Sequence, residues 1–431
     1  MSRGIVLPSE RTCYTDAETG RKVTLWTAPG AGHNVGFYYH QNQFDAQRNL
    51  VYFVSDRSGS WQLWRVHLDD GRLEQVSDLA DLGRVETGEA TPNYHAANYC
   101  YISHRSGQIY VPLLAGLAVI DPDTLECRII RQDGLADEDL VRRRAPNFFA
   151  FPSCDDRWVY SYSVHASREE MDTAQALAKA ACEARKVAGR RVHGQYPMAL
   201  PGMTESPLEF VILRVEAATG RVEELWRGHW WIQHVMASPH DPDLVSFLWA
   251  ALRRPKPKYF LLRAGEAPRR VADDEMNAVL FHDFWHPNGR RWLMHGCANL
   301  EPDPEIYAPI PGKMRFFVRD VDVAHFLATG EVRYRDWIES AGEKHVHLHL
   351  NIAPDGAFLV GDGQSDCPYI CRLDWQEDGT IPATPLCRTE YPSGHVGGME
   401  ANPNMHVSPD GKACFFITYR NGQAGLASVE T

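Results

Sequence analysis

Near its C-terminal end the chain alternates short apolar runs with a tight turn. The segment Asn404-Met-His-Val-Ser-Pro-Asp-Gly-Lys-Ala-Cys-Phe-Phe-Ile-Thr418 holds a brief strand, a Ser-Pro-Asp-Gly turn and a second run of strand formers. Val, Phe, Ile and Thr suit a half-buried pleated surface, while Pro presets φ and Gly takes the positive φ of a tight turn. The same phrase recurs as His349-Leu-Asn-Ile-Ala-Pro-Asp-Gly-Ala-Phe-Leu-Val360, as His282-Asp-Phe-Trp-His-Pro-Asn-Gly-Arg-Arg-Trp-Leu293 and, more loosely, from His234 to Asp243. Earlier copies, with decayed turns, run from Gln41 to Phe53, from Tyr94 to Tyr101 and from Phe148 to Tyr160, which makes seven in all.

A second hairpin follows each copy. In the first, Phe53 to His67 turns at Asp69-Asp70-Gly71 and returns through Leu73 to Val76. Four short strands per unit, at a period of about 45 residues, describe a propeller blade. The expected fold is therefore all-β: a single seven-bladed β-propeller over residues 1–431. Blade three carries an insertion at about 165–207, in which Asp172 to Ala188 is Ala-rich, lacks Gly and Pro, and predicts a helix. A Pro-rich insertion covers about 300–313 in blade five. The last repeat is short of strands, and an orphan strand lies at about 21–27. An open ring would expose a sheet edge, so the N-terminal strand is expected to complete blade seven and close the propeller.

Aligning the copies on their turns isolates one register position. It holds His234, His282, His349 and Asn404 in blades four to seven, and Gln41 in blade one. The innermost strand of a blade lines the central channel, and period-2 alternation places these side chains on one face. A single channel His commonly satisfies neighbouring backbone groups. Three at one register of consecutive blades point to a site. His40, His95, His347, Asn402 and Glu400 lie nearby in sequence. Alternation also puts His345, His347 and His349 on one strand face, either as metal ligands or as one channel His with two at the rim.

Composition narrows the partners. With 44 Lys+Arg against 56 Asp+Glu, a net charge of −12, the chain has no basic field for a phosphate backbone, which argues against nucleic acid. The 19 His residues leave room for a local anion site. No apolar run has the length of a signal peptide core or a membrane span, and the ten cysteines are scattered, so a soluble cytoplasmic protein with buried thiols is expected. No phosphate loop or G-x-S-x-G nucleophile elbow occurs. The basic run Arg142-Arg143-Arg144 is a solvated loop or a carboxylate clamp.

The stretch Tyr14-Thr-Asp-Ala-Glu-Thr-Gly-Arg-Lys-Val-Thr24, the phrase Ser55-Asp-Arg-Ser-Gly59, His282-Asp-Phe-Trp285, and His349 followed by Val360-Gly-Asp-Gly363 resemble the oligogalacturonate lyases, seven-bladed propellers that cleave short pectic oligouronides. The resemblance spans nearly the whole chain. It implies a manganese ion held by a blade-five His and by a Gln and two His just before the blade-seven turn, with a further channel His as base. By position, His282 matches the blade-five ligand, while Met399, Asn402 and Asn404 stand at the blade-seven positions. A set drawing on Asn402, Asn404 or Glu400 is richer in oxygen and suits calcium better, and a site without metal is the alternative.

The resemblance implies a lyase acting on a small anionic oligosaccharide. β-Elimination needs the uronate carboxylate neutralised, a base near the C5 proton, and an acid or water at the leaving oxygen. His234 is the candidate base, since neutral imidazole is abundant near pH 7. His282 and His349, with Asn402 and Asn404, are candidates to hold the carboxylate directly or through a metal, and His95, Gln41 and Arg144 or Arg227 to bind the sugar. A glycoside hydrolase on the same scaffold, in which His40 becomes the residue of interest, and a non-catalytic sugar-binding or interaction propeller are the alternatives.

Overall fold

The computed structural model describes residues 3–28, 30–78, 99–113, 116–132, 150–165, 169–170, 173, 176, 208–249, 256–274, 278–299, 314–339, 347–363, 368–389, 395–396, 399–400, 403–420 and 423–431. Over these residues the chain forms seven antiparallel sheets of four to six strands in sequence order, the blades of a seven-bladed β-propeller, and one two-stranded sheet. Sheets three to six have four strands each, beginning with Phe151–Pro152, Ile232–Ala237, Ala278–Trp285 and His347–Ile352. Every strand pairs with the next, as alternation broken by short turns dictates. By their contacts, the residues group into two compact units. One comprises 1–111, 119–128 and 277–431, the other 112–118 and 129–276.

The turns keep the repeat in step. At Ser408-Pro-Asp-Gly411, the Gly411 N–H donates to the Ser408 carbonyl at 2.8 Å, and Gly411 has φ 73°. Two of the turns that look decayed in sequence likewise end on a residue with positive φ. Asp156 (φ 62°) closes the turn on Ser153, and Asn49 (φ 54°) ends the one begun at Asp45. Asn and Asp enter the left-handed region more readily than other residues bearing a Cβ, so each stands in for the glycine.

The N-terminal strand Lys22–Leu25 pairs with Gln423–Glu430 at Val23↔Val429, and Thr12–Thr15 adds an outer strand to the same seventh sheet. Val6–Leu7 instead extends the outer edge of the first sheet, pairing with Leu73–Gln75. Of the predicted helical insertion, Glu169, Glu170, Thr173 and Ala176 are helical, and the rest of 166–207 lies outside the described residues, as does the insertion at 300–313. A seven-residue helix absent from the sequence expectation, Val323–Thr329, caps the third strand of sheet five. Asp322 accepts from the His325 N–H at its start, and Gly330 (φ 81°) ends it. The core of sheets six and seven packs Phe358, Leu359, Val360, Ile370, Phe416 and Ala427 between the blades.

Candidate active site

The register position singled out in sequence coincides with a break in the strands. In sheet four the pairing runs Gln233↔Leu248 then Met236↔Ser246, so His234 and Val235 together face Phe247. In sheet five Phe281 and His282 face His295, and in sheet six Leu348 and His349 face Asp362. Each is a β-bulge, with two residues opposite one, a device that re-aims a side chain. His234 has φ 49° and Asn404, at the matching position of sheet seven, φ 45°. Such values are rare for residues with a Cβ and gather at functional sites. The bulge also interrupts the strict alternation of the strand that carries His349.

The first strands of sheets five, six and seven lie side by side. They bring His282 and His349 together, with ring centroids 4.7 Å apart. His349 is 2 % exposed, and Asp362 opposite it is fully buried. The carboxylate accepts from the His349 backbone N–H through Oδ1 at 2.6 Å and meets ring Nδ1 through Oδ2 at 2.9 Å.

Against this pair stands the segment Phe37 to His40. Tyr39 stacks on His349 at 5.0 Å and meets His282 edge-on at 5.2 Å, while Tyr38 and His40 pack beside it. Tyr39 Oη donates to the Asp283 carbonyl at 2.9 Å, and its own carbonyl accepts from Asn351 Nδ2 at 2.8 Å. His406 Nε2 lies 3.0 Å from the Phe37 carbonyl, which can only accept, so Nε2 carries the proton. Burial pushes the His406 pKa down to about 4. The Phe37 hydrogen bond opposes this shift, and the nearby His349 adds to it. Three buried carboxamides remain with unspent capacity: both amide atoms of Gln41 and of Gln43, and Oδ1 of Asn404, have no hydrogen-bond partner.

The structure thus brings His40, His282 and His349 into one cluster, with Gln41 following His40 directly in the chain. His234 lies in the other unit, 6 % exposed. His95, Arg144 and Asn402 lie outside the described residues. Glu400 belongs to a two-residue strand, Met399–Glu400, paired with His395–Val396. Arg227, a candidate to bind the sugar, pairs with Glu224 and Glu209. Asp362, Tyr38 and Tyr39 were missed in sequence. The signal for Asp362 was a lone carboxylate closing the apolar run Phe358-Leu-Val-Gly-Asp.

No family model matches the chain. A curated oligogalacturonide lyase of Pectobacterium atrosepticum is 21% identical over 384 residues, 88% of this chain and 80% of that one. A solved oligogalacturonate lyase in complex with manganese superposes with a TM-score of 0.74 at 18% identity, covering 100% of this chain and 98% of the other. The chain is similar to the oligogalacturonate lyases along nearly its whole length. A second such lyase, from Vibrio parahaemolyticus, gives the same TM-score of 0.74 at 15% identity, over 99% of this chain and 98% of that one.

At the positions to which the resemblance assigns metal ligands, the donors of this chain are mixed in kind. Of the four positions to which the resemblance assigns ligands, only His282 carries an imidazole. Met399 offers a soft thioether, and Asn402 and Asn404 offer neutral amides. Among the described residues no three His, Cys, Asp or Glu side chains are grouped to hold a metal ion. By type, the side chains at these four positions do not by themselves supply a nitrogen-rich manganese site. No helix among the described residues is long and apolar enough to cross a membrane.

Proposed function

We propose that the chain is a lyase that cleaves a short uronic-acid-containing oligosaccharide by β-elimination, with His349 as the base. The observation that carries the reading is the buried His349–Asp362 pair beside His282, at 2.9 Å from Nδ1 to Oδ2, in a relative of the oligogalacturonate lyases. With Nδ1 engaged, Nε2 is the nitrogen free to take the C5 proton. The C5–H bond then breaks, C4=C5 forms, and the C4–O bond releases the second sugar as an alcohol. In this reading His282 and the unspent amide of Gln41 pair with the C6 carboxylate, and His40 protonates the leaving oxygen. His95, Arg144, Asn402 and Glu400 stay candidates for substrate or cation contact. We also assign the protein to the cytoplasm, in keeping with the free thiols of Cys13, Cys127, Cys387 and Cys414.

His234 is the rival base, favoured by its left-handed backbone at φ 49°. The test is ultraviolet absorbance of the 4,5-unsaturated product over a panel of uronides. The wild type should form it, His349→Ala should lose at least about 100-fold in rate, and His234→Ala should lose less. The reverse order would transfer the role to His234. Release of reducing sugar without absorbance would mean a hydrolase, and neither signal a binding propeller.

A further inference from the structure

Where sheet three passes to sheet four, three tryptophans gather. The last strand of sheet three, Val222–Gly228, carries Trp226, whose ring folds over Gly228: a Cβ there would meet its Cζ2 at 2.6 Å. Beyond the strand end, Trp230 lies 5.1 Å from Trp226 and stacks on Trp249 at 4.7 Å, with the planes 12° apart. Behind them Phe260 lies 5.0 Å from Trp230 and stacks on Phe247 at 5.3 Å. The phenylalanines are buried, whereas all three tryptophans are half-buried and keep indole surface at the solvent. Two polar groups set this patch apart from packing alone. Trp249 Nε1 is buried and has no hydrogen-bond partner among the described residues. A buried N–H left unpaired is costly, and nearly all find an acceptor. Beside it comes a cation. The register that pairs Phe247 with Phe260 and Leu248 with Tyr259 continues to Trp249 and Lys258. Lys258 is 9 % exposed, with Nζ 5.8 Å from the centre of the Tyr259 ring. On its other side Trp249 pairs with Ile232, two residues ahead of His234 on the first strand of sheet four.

We propose that Trp230, Trp249 and Lys258 form a subsite for a uronate sugar. The sugar carboxylate accepts from Trp249 Nε1 and pairs with the Lys258 ammonium, and the C–H face of the pyranose ring lies on the exposed indole of Trp230. A donor beside a cation suits an anion with acceptor oxygens, and it gives a neutral sugar much less. The choice of a uronate rests on the reading of the chain as a uronide lyase. The subsite binds and does not react: its contacts are the same before and during bond cleavage, so losing them raises KM and leaves kcat in place.

The first arm of the test needs no turnover. Full-length protein labelled with ¹⁵N-tryptophan is titrated with galacturonate, a monosaccharide with no glycosidic bond to cleave, and with galactose as the neutral control. The indole N–H resonance of Trp249, assigned by its loss in Trp249→Phe, should shift with galacturonate at a concentration at least about 10-fold below that needed with galactose. In Lys258→Met the galacturonate needed should rise by about 10-fold, and in Lys258→Arg it should stay near the wild-type value. Trp249→Phe keeps the ring and removes only an unpaired donor, so its unfolding temperature should not fall. A fall would show that Nε1 is engaged inside the fold and would overturn the assignment. In the second arm, on a uronide that the wild type cleaves, Trp249→Phe and Lys258→Met should raise KM about 5–10-fold with kcat within about twofold. A Trp249 resonance that ignores galacturonate, together with unchanged KM in both variants, sinks the subsite and leaves the lyase reading standing. A resonance that responds in a protein that cleaves no uronide does the reverse.

Discussion

His406 shows how one buried side chain couples stability to pH. Its folded pKa of about 4 lies below the ordinary 6.5, so between these values the unfolded chain binds a proton that the folded chain refuses. Stability is full above about pH 6.5 and falls as pH drops toward 4, by up to about 3 kcal/mol from this residue. Urea midpoints at pH 7.5 and 5 should therefore differ more for the wild type than for His406→Gln, whose amide can still donate to the Phe37 carbonyl. Equal slopes would show that His406 titrates normally. The same scale governs the metal. Manganese favours imidazole and carboxylate, whereas of the four matching positions only His282 has an imidazole, beside Met399, Asn402 and Asn404, so adding manganese to metal-stripped protein should change the rate less than about twofold. A loss that added manganese restores would contradict that donor chemistry. At this scale the sequence exposed His282, His349 and Asn404 because each recurs at a fixed distance from a turn. It did not expose Asp362, whose partner is chosen by strand register rather than by spacing.

Elements in this chain are set by their turns. Gly356 and Gly411 close equivalent turns in sheets six and seven, with φ of 76° and 73°. Their surroundings differ: a Cβ at Gly411 would meet nothing within 4 Å, while one at Gly356 would run into the His286 ring of the neighbouring blade. Gly411→Ala should cost about 1 kcal/mol from backbone strain alone, and Gly356→Ala about 2–3 kcal/mol, read by thermal unfolding. Equal costs would mean that His286 swings aside freely. Strand and turn positions were legible in sequence because the chemistry of Pro-Asp-Gly and of apolar alternation is local. The bulges were not. An extra residue in a strand leaves no mark on composition, and it is detected only when the partner strand is known.

At the scale of the whole molecule, the N-terminus is stitched to the C-terminal sheet. Val23, fully buried, pairs with Val429, and Trp26 Nε1 donates to Ser428 Oγ at 3.0 Å. Removing residues 1–25 should strip Gln423–Glu430 of its neighbour, lower the unfolding temperature and produce self-association on size-exclusion chromatography. A monomeric fragment as stable as the full chain would show that the edge needs no partner.

By itself the sequence determined the seven repeats, their four-strand make-up and the register that carries the histidines, because each follows from residues within a few positions of one another. Only the tertiary structure decided which of those residues meet. Tyr39 reaches Asp283 across 244 positions of chain, and His349 finds Asp362 only because a bulge shifts one strand by a residue. Such contacts depend on how blades pack and pair, and no local pattern encodes them.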